Sequence, residues 1–252
     1  MTEQFFAGDK IEQIVGEINK QTPGKRYQVQ MFLQNLLDYD SGDFLSAGIQ
    51  LLESLQIRFY VKYVFYEILR QVSEPDEKIV EYVKRECKDE GKRDYFVNNV
   101  VCGRHAYITI LRESGILEQW FSDDKKKSTV FVLLKSISPD LDIEDIAFIK
   151  KHSFVNEEDD KKFMGCFLHD IMEESDELFE LRMLFYNKYP VWSQELYIDV
   201  KAMMKHCESR TIRLISFWLK NKIISKAKNV YRYEEELLAI TDSYLLQEAK
   251  YV

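Results

Sequence analysis

The chain has 252 residues, 46% of them hydrophobic and 31% charged, with a formal net charge of −8. That apolar content excludes a disordered polymer, and the negative balance disfavours a protein built mainly to grip phosphate backbones. Only four prolines and nine glycines interrupt it, while 16 Phe, 15 Tyr and 3 Trp supply large rings for helix–helix seams.

The first predicted helix begins near Asp9, with Ile11, Ile14, Val15 and Ile18 on one face, and ends at Thr22-Pro23-Gly24. The second runs from about Arg26, with Val29, Phe32, Leu33, Leu36 and Leu37 as its stripe. Asp38 to Gly42 reads as a turn rich in capping residues. Asp43 to Val72 is the clearest stretch. Phe44, Ala47, Leu51, Leu52 and Leu55 recur at helical spacing, Gln56 breaks the run, and Val61, Val64, Phe65, Ile68, Leu69 and Val72 resume it. After Glu74-Pro75, Asp76 and Glu77 open a fifth helix, where acids complement the helix dipole. Ile79, Val80, Val83 and Cys87 form its apolar face.

Gly91, Gly103 and Gly115 divide the next region into short helices near Asp94–Cys102 and His105–Glu113, and Asp123 to Lys127 reads as an exposed loop. Ser128 to Ile137 carries the strand-like Thr129-Val130-Phe131-Val132. It is assigned as helix, because a lone strand has nothing to pair with. Beyond Pro139, helical spacing returns through Ile143, Ile146 and Ile149, then Phe163, Phe167 and Ile171, then Leu178, Leu181 and Phe185, closed by Pro190. Leu196, Val200 and Met203 mark another helix, Ile212, Ile215 and Leu219 the next, and Leu237, Ile240 and Tyr244 the last.

These elements sum to roughly thirteen or fourteen helices joined by short loops. The predicted fold is all-α, a HEAT-like α-solenoid forming a single helical-repeat domain over residues 1–252, with 1–138 and 139–252 as possible sub-units. No strict repeat is visible, although Pro23, Pro75, Pro139 and Pro190 are spaced as loose helix pairs or triplets would be. No apolar run approaches the ~20 residues of a membrane helix. Met1 to Asp9 lacks the basic region and apolar core of a signal peptide. A cytoplasmic protein with reduced thiols at Cys87, Cys102, Cys166 and Cys207 is expected, with no membrane partner.

Charge is uneven along the chain. Residues 140–180 hold 14 acids and 4 lysines, whereas residues 201–232 hold 9 Lys and Arg against the single acid Glu208. Two solvated helix faces, a bipolar surface for a partner, or a contact between the two stretches would each account for this. The basic segment includes Arg210, Arg213 and Lys220 with Trp218, side chains that could hold nucleic acid by phosphate contact and stacking. Ile212, Ile215 and Leu219 equally describe an ordinary amphipathic helix there.

Chemistry-bearing motifs are sparse. Cys102-Gly-Arg-His105, Cys166-Phe-Leu-His169 and His206-Cys207 could supply zinc ligands, but paired Cys-x-x-Cys knuckles are missing. Glu157-Glu158-Asp159-Asp160 lacks the alternation and glycine of a calcium loop, and reads as a solvated helix start. No phosphate-cradling Gly-rich motif occurs. No catalytic residue, cofactor or metal is therefore assigned.

Three segments carry a resemblance: Lys25-Arg-Tyr-Gln-Val-Gln-Met-Phe-Leu-Gln-Asn-Leu-Leu, Phe44-Leu-Ser-Ala-Gly-Ile-Gln-Leu-Leu, and Gln56-Ile-Arg-Phe-Tyr-Val-Lys-Tyr-Val-Phe-Tyr-Glu-Ile-Leu. With the Ser73-Glu74-Pro75 linker they resemble, over about residues 9 to 80, the helical region that follows the ATPase module of bacterial STAND (NACHT-like) signal-transduction NTPases. Arg58-Phe59-Tyr60-Val61-Lys62-Tyr63-Val64 matches a recurring Arg–aromatic–x–x–Lys segment of that group. The resemblance implies an α-solenoid sensor or scaffold coupled to a nucleotide-driven switch, in some relatives for defence against phage. The ATPase motifs themselves are missing here, so the chain would be an excised piece, a split gene product or a free-standing relative. The expected function is non-enzymatic binding of a protein partner, with Arg58 and Lys62 as the candidate contacts. The alternative is a HEAT-like DNA-binding protein or alkyl-base DNA glycosylase, using Arg210, Arg213, Lys220 and Trp218, with Trp192 as a further aromatic.

Overall fold

The computed structural model describes residues 25–54, 59–138, 140–167, 174–194 and 205–221, and among these every regular element is helical. No described helix is long and apolar enough to cross a membrane. The helices expected from Asp9, across Leu196–Met203 and from Tyr233 lie outside the described residues, as does Arg58. The chain divides into two compact units, Met1–Ile137 and Ser138–Val252.

In the first unit the order is α1 (Lys25–Tyr39), α2 (Ser41–Glu53), α3 (Phe59–Gln71), α4 (Glu77–Lys88), α5 (Arg93–Phe96, running into a π-helical turn at Val97–Val101), α6 (His105–Glu113), α7 (Ile116–Phe121) and α8 (Lys127–Ser136). Helix α1 packs on α2 and α3, α2 on α3 and α4, and α4 on α5 and α6. Side-chain caps open α2 and α4. The Asp40 carboxylate accepts from the Asp43 N–H at 3.0 Å, and that of Asp76 from the Ile79 N–H at 3.0 Å, satisfying orphan donors at the tops of α2 and α4. Lys78 then bonds Asp40 at 2.6 Å, tying the two helix starts together.

Gly48 lies mid-helix in α2, where glycine is unfavourable. The close approach of Phe65 requires it: a Cβ there would overlap Cδ2, Cε2 and Cγ of that ring, the last at 2.5 Å. Phe65 is wholly buried and is in turn flanked by Phe44, Tyr66 and Tyr82 with ring centroids 5.1, 5.6 and 5.9 Å away. At the far end of α3, the Tyr107 hydroxyl donates to the Leu69 carbonyl and Arg70 donates to the Cys102 carbonyl at 2.9 Å. Gly103 takes a left-handed φ of +75° in the turn before α6.

The ambiguous segment is helical, as expected: Val130, Phe131, Leu133 and Leu134 bury one side of α8 while Val132 faces out. On α4 the apolar face differs from its prediction. Val80 is only half-buried, and the inward set is Ile79, Tyr82, Val83, Glu86 and Cys87.

The second unit contains α9 (Ile143–His152), α10 (Glu157–Met164), α11 (Asp176–Lys188) and α12 (Glu208–Lys220), with 3-10 turns at Gly165–Phe167 and Pro190–Gln194. Helices α9 and α10 both pack on α11. Ile143 is exposed, contrary to its place in the predicted stripe, because it is the first residue of α9 and the inward face begins with Asp145 and Ile146. The acidic start of α10 is only half solvated. Glu157 and Glu158 face out, but Asp159 and Asp160 are buried. Asp160 accepts from the Phe154 N–H at 2.6 Å and the Tyr189 hydroxyl at 2.7 Å. Those bonds hold Phe154 at a φ of 69°, a conformation that costs a non-glycine residue free energy.

The interior of this unit also holds a complete ion pair. Arg182 donates to Glu174 through Nε at 3.0 and 3.1 Å and through Nη2 at 2.6 Å, and both side chains are fully buried. All four cysteines are free thiols.

Candidate functional site

The first unit carries a cleft of about 660 Å³, inside the size range of small-molecule and side-chain pockets. Ile49, Leu52 and Glu53 at the end of α2 form one wall, and Lys62, Tyr63 and Tyr66 of α3 form another. Tyr82, Arg85 and Glu86 of α4 face them. Asp89 and Lys92 of the following turn and Tyr95 of α5 complete the lining.

The helical period places these groups. Lys62, Tyr63 and Tyr66 stand three and four apart on α3, as do Tyr82, Arg85 and Glu86 on α4, so each set shares a face. Four tyrosines therefore converge. The Tyr95 ring lies 5.6 Å from that of Tyr63 and 6.0 Å from that of Tyr66. Phe96 closes the floor edge-on, 5.7 Å from Tyr66 and 5.8 Å from Tyr82.

Charge in the cleft is balanced by residue count but not by environment. Glu86 is only 5% exposed, and its carboxylate meets the Arg85 Nε at 3.4 Å. The Arg85 side chain is itself 62% exposed and sits over the Tyr82 ring, 5.0 Å from its centroid. Burial, reinforced by the Glu86 carboxylate, pushes the Tyr66 hydroxyl up to about 12 and the Cys87 thiol up to about 12. The Tyr82 hydroxyl is raised by the same two causes. Tyr66 and Tyr82 accordingly stay protonated at neutral pH.

Of the two residues predicted to contact a partner, Lys62 lines this cleft. It is half-buried, and its ammonium donates to the Leu52 carbonyl at 2.9 Å, capping the end of α2. Tyr63, from the same segment of sequence, lines the cleft beside it.

The four residues of the nucleic-acid alternative lie on α12. Trp218 is buried at 3% exposure. Arg210 donates to the Glu174 carbonyl at 2.7 Å and to Asp176 at 2.6 Å, and Arg213 pairs with both carboxylate oxygens of Glu180. Both guanidinium groups lie over the Phe179 ring, at 5.4 and 5.5 Å. Lys220 is exposed at the helix end. The acidic and basic stretches of the sequence thus meet each other within the second unit. Trp192 stacks on Tyr189 with centroids 3.9 Å apart. Of the Cys-x-x-His pairs, Cys166 is buried and its thiol donates to the Lys162 carbonyl at 3.7 Å, while His169 lies outside the described residues.

Sequence reasoning missed Tyr66, Tyr82, Arg85, Glu86, Lys92 and Tyr95. One signal was available. Glu86 falls at the i+7 position from Ile79, within the buried stripe of α4, so a carboxylate was written where an apolar residue was due. Compared with protein-family models, curated proteins and solved structures, the chain matches none.

Proposed function

We propose that the chain is a non-enzymatic helical-repeat module that binds a protein partner through the cleft of its first unit. The observation that carries this reading is the convergence of Tyr63, Tyr66, Tyr82 and Tyr95 with a buried carboxylate in one recess. Tyrosine and arginine are the residues that dominate protein–protein hot spots, because a ring offers contact area at small entropic cost and a polar tip. The serial packing of α1 on α2 and α3, and of α2 on α3 and α4, supports the helical-repeat part of the reading. The likeness of residues 9 to 80 to the helical region of STAND NTPases supports placing the partner in a nucleotide-driven signalling or defence system.

The test is site-specific photo-crosslinking in the native host. A benzophenone amino acid replaces Tyr95 at the rim of the cleft, or Leu184, an exposed apolar residue of the second unit. The reading expects one discrete protein adduct from position 95 that position 184 does not give. Adducts from position 184 alone, or nucleic acid as the only adduct at 95, would overturn it.

A further inference from the structure

The geometry points to a guanidinium site: the Tyr66–Tyr82–Glu86 corner of the cleft receives an arginine side chain from the protein partner. This rests on the protein-partner reading above and supplies the chemistry of the contact.

Glu86 is incompletely served for a buried carboxylate. Taking a carboxylate out of water is costly unless short, well-aligned donors replace the lost hydration. The chain meets that requirement elsewhere: Glu174 has Arg182 at 2.6 Å and Asp160 has Phe154 N–H at 2.6 Å. Glu86 is buried too, though its side chain keeps 7% exposure where those of Glu174 and Asp160 keep none, and its ion pair is a 3.4 Å approach from the neighbouring Arg85, whose side chain lies mostly in water. A second, shorter donor fits the chemistry of this corner.

The surrounding rings specify what kind of donor. Tyrosine faces attract cations, and a planar guanidinium stacks on them while its N–H fork meets a carboxylate side-on. A lysine ammonium has no plane to stack. Arg85 already illustrates the mode, lying over Tyr82 while reaching Glu86. It is an internal occupant whose single approach to the carboxylate, through Nε at 3.4 Å, is long.

An anionic guest fits less well. Of the lining cations, Lys62 is bonded to the Leu52 carbonyl and Arg85 lies beside Glu86, which leaves Lys92 exposed at the rim together with Glu53 and Asp89. An anion seated in the corner against Tyr66 and Tyr82 would lie beside the Glu86 carboxylate.

These assignments set up an opposed pair of substitutions. If the guest is a guanidinium, Arg85 competes with it and Glu86 binds it. Arg85→Ala then tightens binding and Glu86→Gln weakens it. If the guest is an anion, Arg85→Ala weakens binding and Glu86→Gln strengthens it. Glu86→Gln preserves shape, and Arg85→Ala alters a largely solvated side chain, so at least one folded variant reports.

The full chain, labelled with ¹³C at tyrosine rings, is titrated at low salt with acetyl-Gly-Ser-Arg-Ser-Gly-amide and with its citrulline and lysine twins. The arginine peptide is expected to move the ring signals of Tyr66, Tyr82 and Tyr95 to saturation. Citrulline, of the same shape without the charge, should leave them in place. Glu86→Gln should weaken the arginine peptide about tenfold or more, the loss of one charge-assisted bond, and Arg85→Ala should tighten it. Equal response to citrulline, or weaker binding after Arg85→Ala, overturns the site. The crosslink from position 95 tests the protein-partner reading separately. If the arginine peptide binds these tyrosines as expected and position 95 gives no protein adduct in the host, the guanidinium site stands and the protein-partner reading fails.

Discussion

Replacing Gly48 by alanine sets two effects of known sign against each other. An alanine in a helix interior is favoured over glycine by about 1 kcal/mol. Against this, the new methyl group would overlap three atoms of the Phe65 ring. That ring has no room to yield. It is wholly buried, with Phe44, Tyr66 and Tyr82 around it at centroid distances of 5.1 to 5.9 Å. Overpacking a filled core costs about 1–3 kcal/mol, and the direct overlap here puts Gly48→Ala at the upper end. The net expectation is a loss of about 1–2 kcal/mol. Gly165→Ala is the control, because a Cβ at that position meets nothing within 4 Å and its φ is −59°. It should gain about 0.4–1 kcal/mol by restricting the unfolded chain. Urea unfolding monitored by circular dichroism reads both. Phe65→Leu in the Gly48→Ala background should recover part of the loss, as a double-mutant cycle would show. Gly48→Ala as stable as the parent, or no coupling to Phe65, would refute the packing argument.

The remaining expectations separate buried from exposed electrostatics. Glu174→Ala leaves the interior guanidinium of Arg182 without its carboxylate and should cost about 3–5 kcal/mol in urea unfolding, whereas Arg213→Ala breaks a half-exposed pair with Glu180 and should cost less than about 1 kcal/mol. At alkaline pH the raised Tyr66 pKa becomes a stability term. Its contribution is intact below the ordinary value of 10.0 and is lost as pH rises through about 12, and a melting series over that window should show it. Tyr82, raised by the same causes, should ionise late in a tyrosinate absorbance titration. Among the thiols, Cys87 should resist a disulfide reagent at pH 8 while half-exposed Cys102 and Cys207 react. Glu86→Gln should lower the Cys87 pKa by removing the adjacent charge.

The helical architecture was legible because its signal is periodic. Val29, Leu33 and Leu36 on α1 and Val61, Val64, Phe65, Ile68 and Leu69 on α3 are buried as their spacing required. Even the strand-like Thr129–Val132 yielded, since Val130 and Leu133 with Phe131 and Leu134 form a helical face that outweighs β-branching. The cleft was less legible because it is assembled from four helices and a turn, and no local pattern spans them. Lys62 was found through a segment resemblance, while Tyr66 and Tyr82 stand in neither predicted apolar stripe. Their role emerges only when Glu86 is seen to be buried among them. The charge asymmetry was visible, but its resolution through Arg210–Asp176 and Arg213–Glu180 depends on how α11 and α12 pack, which composition does not specify.

The central claim is that a protein partner docks in the cleft of the first unit. Its most direct measurement is the affinity of the partner recovered from the position-95 crosslink for three purified forms: the parent chain, Tyr95→Ala and Leu184→Ala. Truncating a hot-spot tyrosine costs about 2 kcal/mol or more, so Tyr95→Ala should weaken binding by well over tenfold. Leu184→Ala, in the second unit, should bind as the parent does. Unchanged affinity for Tyr95→Ala together with a loss for Leu184→Ala would contradict the account.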